Sequence, residues 1–507
     1  MSCAAAICTL AELSDLALAA VETATNHTDA LNTMWLIVCG ALVFFMQCGF
    51  AMLCAGSVRS KNVSNIMLKN LLDACGGAIG FWSVGYAFAY GDRLDADGTP
   101  IDGVTFIGGR KDYFLMDEGV NYALWFFQFA FAATAATIVA GAIAERCKMA
   151  AYLCYSTMLT GVVYPVVVHA IWSSNGFLSA FNSAGPLFKD TGMIDFAGSG
   201  VVHLTGGFSA LIAAIILGPR IGRFTDKEGN PAVNTMQSHN VSLQILGTFI
   251  LWVGWYGFNP GSTLLMDSTN AANVAGLCTV TTTISASAGA CSALFLRYFF
   301  GSTDGIKFFD LTAAMNGALS GLVGITAGCS VIYPSVSLVV GIISGAVYLG
   351  ASNLLIKFKI DDVVDAVPVH MANGIWGCMA VGLFAAPDLV AEAYGRDTGP
   401  VGWMYEWGRS SGDFRLMATQ LCGVLFILGW VGCMMGPYFM LLQWLGWFRV
   451  HEVDEEIGMD LSHHGASTYS FEKPAALTVD MYEQRKAKKI SKRSKSSAVG
   501  EPEVDTV

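Results

Sequence analysis

Two histidines in this chain stand where a titratable ring is costly and therefore informative. His203 lies inside an uncharged run from Phe196 to Pro219, long enough to cross a bilayer as a helix. His370 follows the acidic cluster Asp361-Asp362-Val363-Val364-Asp365. The layout is duplicated. Asp195 stands eight positions before His203, Asp362 stands eight before His370, and a glycine follows each histidine within four residues. An imidazole titrates near neutrality and has two distinct nitrogens, so it can accept a proton and relay it. An ionisable ring inside a membrane run marks a functional site by default. A single buried histidine is commonly no more than a hydrogen-bonded neighbour of another helix. The repetition points instead to two related halves with a site between them near mid-membrane.

The elements that must position these rings are legible in the composition. The chain has 507 residues, 54% hydrophobic and only 13% charged, with a mean hydropathy of +0.53. A soluble protein carries about twice that charge. The expected fold class is an all-α polytopic membrane protein. Uncharged runs place eleven spans near 33–57, 71–90, 121–144, 149–172, 196–218, 240–265, 269–296, 311–330, 335–356, 367–386 and 416–444. The run between Asp310 and Lys357 is too long for one helix and is cut at Tyr333-Pro334-Ser335. Loops after odd spans carry the cations: Arg59, Lys61, Arg146, Lys148, Arg220, Arg223, Lys227, Arg297, Lys307, Lys357 and Lys359. The positive-inside rule makes those loops cytoplasmic, with the N-terminus outside and the C-terminus inside. The domains expected are an external segment 1–32, an eleven-helix domain 33–446, and a cytoplasmic tail 447–507 of disordered composition beyond about 475.

Other features narrow the class. The net charge of −11 offers no basic surface for nucleic acid. No phosphate loop, nucleophile elbow or metal-ligand cluster is visible, so neither an enzyme nor a cofactor or metal is expected. The fourteen cysteines form no C-x-x-C pair. Cys3 and Cys8 precede the membrane and could pair or link subunits on an oxidising side. Asn26-His27-Thr28 is a glycosylation sequon. His169 and His239 read as structural.

Asp-Phe-Ala-Gly-x-x-Val-x-His, from Asp195 to His203, resembles the signature of the ammonium transporter family (Amt/Mep/Rh), and Asp361 to His370 resembles that family's other histidine helix. Phe127-Gln128-Phe129-Ala130-Phe131 is similar to the third-span motif, Trp172 to the tryptophan ending the fourth span, and Gly254-Trp255-Tyr256-Gly257-Phe258-Asn259-Pro260-Gly261-Ser262 to the sixth-span motif. The likeness covers about residues 31–470. It implies an inverted repeat of two five-helix halves plus a final long helix, assembled as a homotrimer in the plasma membrane. It further implies that Phe127, Trp172 and Ser262 recruit ammonium or methylammonium outside. Phe131 and Phe258 then form a gate, His203 and His370 line the pore, and Asp195 and Asp362 are structural and electrostatic. That chemistry is sound. Aromatic faces attract cations, and hydroxyl oxygens accept N–H donors. A dry pore carries neutral NH₃ far more cheaply than a bare ion.

Pro260, the Phe50 to Gly56 stretch and Gly458-Met459-Asp460 resemble the plant-type branch. There the tail lies against a neighbouring subunit, and a kinase target after Gly-Met-Asp closes the pore. Ser462 holds that position, where threonine is usual, and His463-His464-Gly465 replaces the usual Arg-His-Gly. The function expected is a high-affinity, tail-regulated ammonium transporter. An ammonium sensor and a Rhesus-type channel for neutral NH₃ are the alternatives. Trp172 and Ser262 argue against the second, because they suit a cation.

Overall fold

The computed structural model describes residues 10–91, 103–109, 112–182, 191–226, 228–301, 307–396, 399–407, 412–465, 468–469 and 487, with side chains from residue 14 onward. Cys3, Cys8 and the basic stretch 485–495, apart from Ala487, lie outside the described residues. Lipid offers no partner to a free N–H or C=O, so an uncharged run crosses as a helix. Among the described residues, ten helices are long and apolar enough to span. They are α1 (Leu10–Ser57), α2 (Ser60–Tyr90), α3 (Tyr122–Ala142), α4 (Met149–Trp172), α5 (Ser199–Leu217), α6 (Val241–Thr263), α7 (Thr269–Phe300), α9 (Pro334–Lys357), α10 (Val367–Phe384) and α11 (Arg415–Trp444). The shorter apolar helix α8 (Leu311–Thr326) completes the eleven.

Polar residues start several of these helices where the sequence places them. The side chains of Asn121, Asn240, Ser268 and Asp310 accept from the N–H groups of Leu124, Leu243, Ala271 and Thr312 at 2.9, 3.1, 3.2 and 2.9 Å. Pro334 opens α9, as the Tyr-Pro-Ser cut anticipates. The largest departure is α1, and α2 also begins well before its expected start at 71. α1 is a continuous helix of 48 residues, so the expected external segment is largely helical. Asn26 sits on its exposed part.

The packing repeats in the two halves. α2 lies on α4 and α3 on α5, just as α7 lies on α9 and α8 on α10. Across the halves α1 packs on α6 and α5 on α10, and α11 covers α5 and α10 from outside. This is the neighbour pattern of a pseudo-two-fold repeat, with α5 and α10 at its centre.

The cation-rich loops are tied together by a buried ion cluster. Arg220 grips Asp361 with two nitrogens, Nε at 2.8 Å and Nη2 at 2.9 Å, and reaches Glu145 at 3.1 Å. Arg59 holds the other Glu145 oxygen at 2.5 Å. Burial alone would raise the Asp361 carboxyl, but the hydrogen bonds and charge of Arg220, with Arg146, hold it well below the usual range. Burial likewise opposes ionisation of Glu145, and Arg220 and Arg59 outweigh it and lower that carboxyl. Four loops are thereby fixed at the end of the bundle where α10 begins.

Candidate conduction pore

Each histidine sits in a π-helical turn, Ser199–Leu204 at the start of α5 and Val367–Ala372 at the start of α10. Such turns widen the helix locally and are frequent at functional sites. The acids eight residues upstream explain how the turns are held. Asp195 accepts from the N–H of Gly198, Gly200 and Val201 at 3.2, 2.9 and 2.8 Å. Asp362 accepts from Val364 and Val367 at 3.3 and 2.7 Å. Both carboxylates therefore hold the first turns of their helices, and among the described residues neither is hydrogen-bonded to a histidine ring.

The rings meet where α5 crosses α10. His203 Nδ1 and His370 Nδ1 lie 3.2 Å apart, with the rings near-parallel at 5.2 Å. Two facing Nδ1 atoms can share only one proton between neutral rings, so one is donor and the other acceptor. The opposite nitrogens are left in complementary states. His203 is fully buried, and its Nε2 has no partner among the described residues. Trp255 stacks on His203 at 5.2 Å and is itself anchored by its indole N–H to Thr326 Oγ1 at 3.0 Å.

On one side of the pair, Phe258 stacks at 5.5 Å from His203 and at 4.0 Å on Phe131. Phe127 meets Phe131 at 4.7 Å, and Trp172 stands edge-on to it at 5.9 Å. The Trp172 indole donates to the Asp195 carbonyl at 2.7 Å. Ser262 lies one turn beyond Phe258, and its hydroxyl donates to that residue's carbonyl at 2.8 Å, leaving the oxygen able to accept. The structure thus brings Phe127, Phe131, Trp172 and Phe258 into one aromatic group beside His203, with Ser262 at its edge. On the other side, His370 opens on a small cavity of about 20 Å³ lined by Phe50, Cys54, Thr137, Ile138, Leu319 and Val364. Through Leu53, Asn316 and Val364 this continues into a hollow of about 450 Å³ that also touches Ser57, Gln237, Gln244 and Asp365. The two histidines thus lie between the aromatic group and these hollows, the larger of which borders the loop that follows α5.

The tail docks on those loops within the same chain. α12 (Glu452–Ile457) and α13 (Met459–His464) are joined at Gly458, whose φ of 109° and lack of a side chain are both required. A Cβ there would fall 2.5 Å from Lys61 Cβ. Asp460 accepts from the N–H of Ser64 and Asn65 at 3.1 and 3.0 Å, supplying a cap to the start of α2. Glu455 accepts from Ile221 N–H at 2.7 Å and pairs with Arg449 at 2.9 Å. Ser462 turns its hydroxyl back to Gly458 C=O at 3.1 Å. Thr468, not singled out from the sequence, bonds Asp460 at 2.7 Å and Ser64 at 2.6 Å. His169 is held by Ala89 C=O and Thr105, and His239 by Val58 C=O and Tyr469, in keeping with structural roles.

Sequence reasoning passed over Trp255, Arg220, Asp361 and the buried pair Lys69 and Asp73. Trp255 lies inside the sixth-span motif with no signal that sets it apart from its neighbours. Lys69 falls before the expected second span, 71–90, whereas α2 begins at Ser60.

Fold and geometry together describe an all-helical polytopic membrane protein with a buried histidine pair where its two halves meet. The model of the Ammonium Transporter Family matches residues 34–469, and the chain belongs to that family. It is 42% identical over 451 residues to Ammonium transporter 1 member 3 of Solanum lycopersicum, covering 87% of this chain and 94% of that one. It is also 42% identical to Ammonium transporter 1 member 1 of Oryza sativa subsp. japonica, over 88% and 87% of the two chains. Among solved structures, a Sensor Amt Protein superposes with a TM-score of 0.71 at 31% identity, over 87% of this chain and 99% of that one. Mep2 of Saccharomyces cerevisiae superposes at 0.73 and 23% identity, over 88% and 93%, and shows the shared fold.

Proposed function

We propose that this protein takes up ammonium at the plasma membrane by recruiting the cation, removing its proton at the histidine pair and passing NH₃ onward. The cation-rich loops face the cytoplasm in this reading. Trp172, Phe127 and Ser262 attract and orient NH₄⁺ at the outer mouth by cation–π attraction and hydrogen bonding. Phe131 and Phe258 part to admit it. His203 Nε2 accepts a proton or an N–H bond, and the shared Nδ1 contact passes the change to His370. The single observation that carries this reading is the unpartnered His203 Nε2 behind the Phe131–Phe258 stack. A buried acceptor with no protein partner fits a substrate N–H.

Three finer points belong to the same reading. The chain works as a homotrimer with one pore per subunit. Residues 33–446 form the transport domain, and the tail from 447 is regulatory. A kinase acting on Ser462 adds about −1.5 to −2 charges beside Asp460 and loosens the tail. Purified protein in liposomes tests the whole. Saturable uptake of methylammonium, competed by ammonium and unaffected by neutral methanol, is expected. Non-saturable flux that follows the NH₃ gradient alone would favour a neutral-gas channel instead.

A further inference from the structure

Helix α2 carries two ionisable residues that the route past the histidines does not use. Lys69 and Asp73, one turn apart, are both fully buried. Charges in such a place are expensive unless partnered. Lys69 is well provided for. Its ammonium donates to Cys147 C=O at 2.6 Å and lies 4.6 Å from the centre of the Tyr152 ring. Asp73 is not. Its Oδ1 accepts one long bond, 3.5 Å from Tyr155 OH, and its buried Oδ2 has no partner among the described residues. Ser156 is close but donates to the Asp73 main-chain carbonyl at 3.2 Å.

A second unsatisfied oxygen lies beside it. Asn70, three residues back on the same face, uses its amide N–H on Ile66 C=O at 2.8 Å, while its Oδ1 has no aligned donor. Cys54 of α1 packs in one buried cluster with Val63 and Ile66, and the carbonyl of Ile66 is the one that Asn70 bonds. Cys54 also lines the small cavity beneath His370. Cys54, Asn70 and Asp73 therefore form a row that leads from the pore sideways toward the α2–α4 contact. Buried oxygens without protein donors call for water or for a proton of their own.

We propose that Asp73 is a proton-binding residue of the transport reaction, a carboxyl group that receives the proton released at the histidine pair and returns it to water on the cytoplasmic side. The proposal rests on the reading that proton and NH₃ part company at His203 and His370. The step balances with N–H and O–H bonds alone. NH₄⁺ loses H⁺ and continues as NH₃ along the main route. The Asp73 carboxylate gains that H⁺ through water bridging past Cys54 and Asn70. It then gives H⁺ to cytoplasmic water as hydronium and is again a carboxylate. Lys69 holds the group in place by offsetting the negative charge between turnovers.

The test measures ammonium-evoked current and uptake of labelled methylammonium in the same oocytes, scaled to surface protein. Asp73→Asn should lower the charge moved per labelled molecule severalfold while uptake falls much less. Asp73→Asn leaves Lys69 as an uncompensated buried charge, so Lys69→Thr with Asp73→Asn is measured beside it and should show the same drop. Asp73→Glu keeps a titratable carboxyl and should keep the native ratio. An unchanged ratio in both variants that lack the carboxyl overturns the proposal. So does a proportional loss of current and uptake that Asp73→Glu shares, since that is the mark of a structural role. If the native protein takes up label without current, the released proton stays outside and Asp73 carries none, which overturns the proposal while leaving the parting of proton and NH₃ in place.

Discussion

Gly207 lies against His370: a Cβ added at position 207 would fall 2.9 Å from the histidine's carbonyl carbon, and closer still to Met371 N. The relation is reciprocal. A Cβ at Gly374 would fall 2.6 Å from Ser199 C=O and 2.9 Å from Leu204 N, the residue after His203. Each glycine, four residues after its own histidine, makes room for the helix turn that holds the other one. Absent side chains let helices approach closely in lipid, and here that approach sets the 3.2 Å contact between the rings. Gly207→Ala should therefore separate α5 from α10. Overpacking of this kind costs about 1–3 kcal/mol, too little to prevent insertion. Normal surface abundance with strongly reduced methylammonium uptake is expected. Native uptake by the variant would mean that the crossing tolerates a wider spacing.

Trp172 is tied to the same crossing through its bond to the Asp195 carbonyl. Trp172→Leu removes the aromatic face and that anchor together. Loss of a cation–π partner worth about 0.5–2 kcal/mol corresponds to a roughly 2- to 30-fold rise in the half-saturating ammonium concentration. Concentration series of ammonium-evoked current read this directly. An unchanged half-saturation and unchanged preference for ammonium over methylammonium would remove Trp172 from recruitment.

Gly458 and Ser462 make different predictions because they touch different things. Gly458→Asp places a side chain into Lys61 at a backbone angle few residues adopt. It should unseat the tail and stop transport. If subunits are coupled, it should also suppress native protein at a fixed native dose. Ser462→Asp should lower transport, and Ser462→Ala should leave it near native, since among the described residues this hydroxyl bonds only Gly458 C=O, within the tail. Full native uptake in mixed oligomers would show that the tail acts on its own subunit alone.

Acid should leave the loop cluster intact over the physiological range. The carboxyls of Asp361 and Glu145 are held below their usual values by Arg220 and Arg59 despite burial. A depressed carboxyl contributes stability that is present above its unfolded pKa, near 4, and is lost only as pH falls through the lower folded value. The protection factors of the amides of residues 220–223, exchange rates corrected for the intrinsic effect of pH, should be the same at pH 5 as at pH 7 in purified protein, because Arg220 and Ile221 donate their N–H groups to Asp361 and Glu455. A fall in protection between pH 7 and pH 5 would show that a weaker group holds the loops.

Much of this was legible in the chain because lipid is a strict solvent. It forces uncharged runs into helices and makes any intramembrane acid or histidine conspicuous, so the ten spanning helices, the shorter α8 and the Asp195–His203 and Asp362–His370 elements are legible in outline. What escaped depends on distance across the bundle. Nothing in the spacing of Arg220, Asp361 and Glu145 says that they meet. Trp255 looks like any lipid-facing aromatic until His203 is placed on it. The length of α1 was underestimated because the stretch before 33 is polar enough to end a span without ending a helix. Lys69 and Asp73 were obscured because a span boundary chosen by charge excludes the very charges a membrane helix has buried.

The account stands on the histidine pair, and one measurement bears on it most directly. Purified His203→Ala and His370→Ala proteins, reconstituted at equal density, are assayed for ammonium-driven uptake and for current beside the native protein. Loss of transport, or loss of its selectivity for ammonium with a changed ratio of charge to uptake, is predicted for both. Saturable, ammonium-selective uptake at the native rate and charge ratio in both variants would contradict the account.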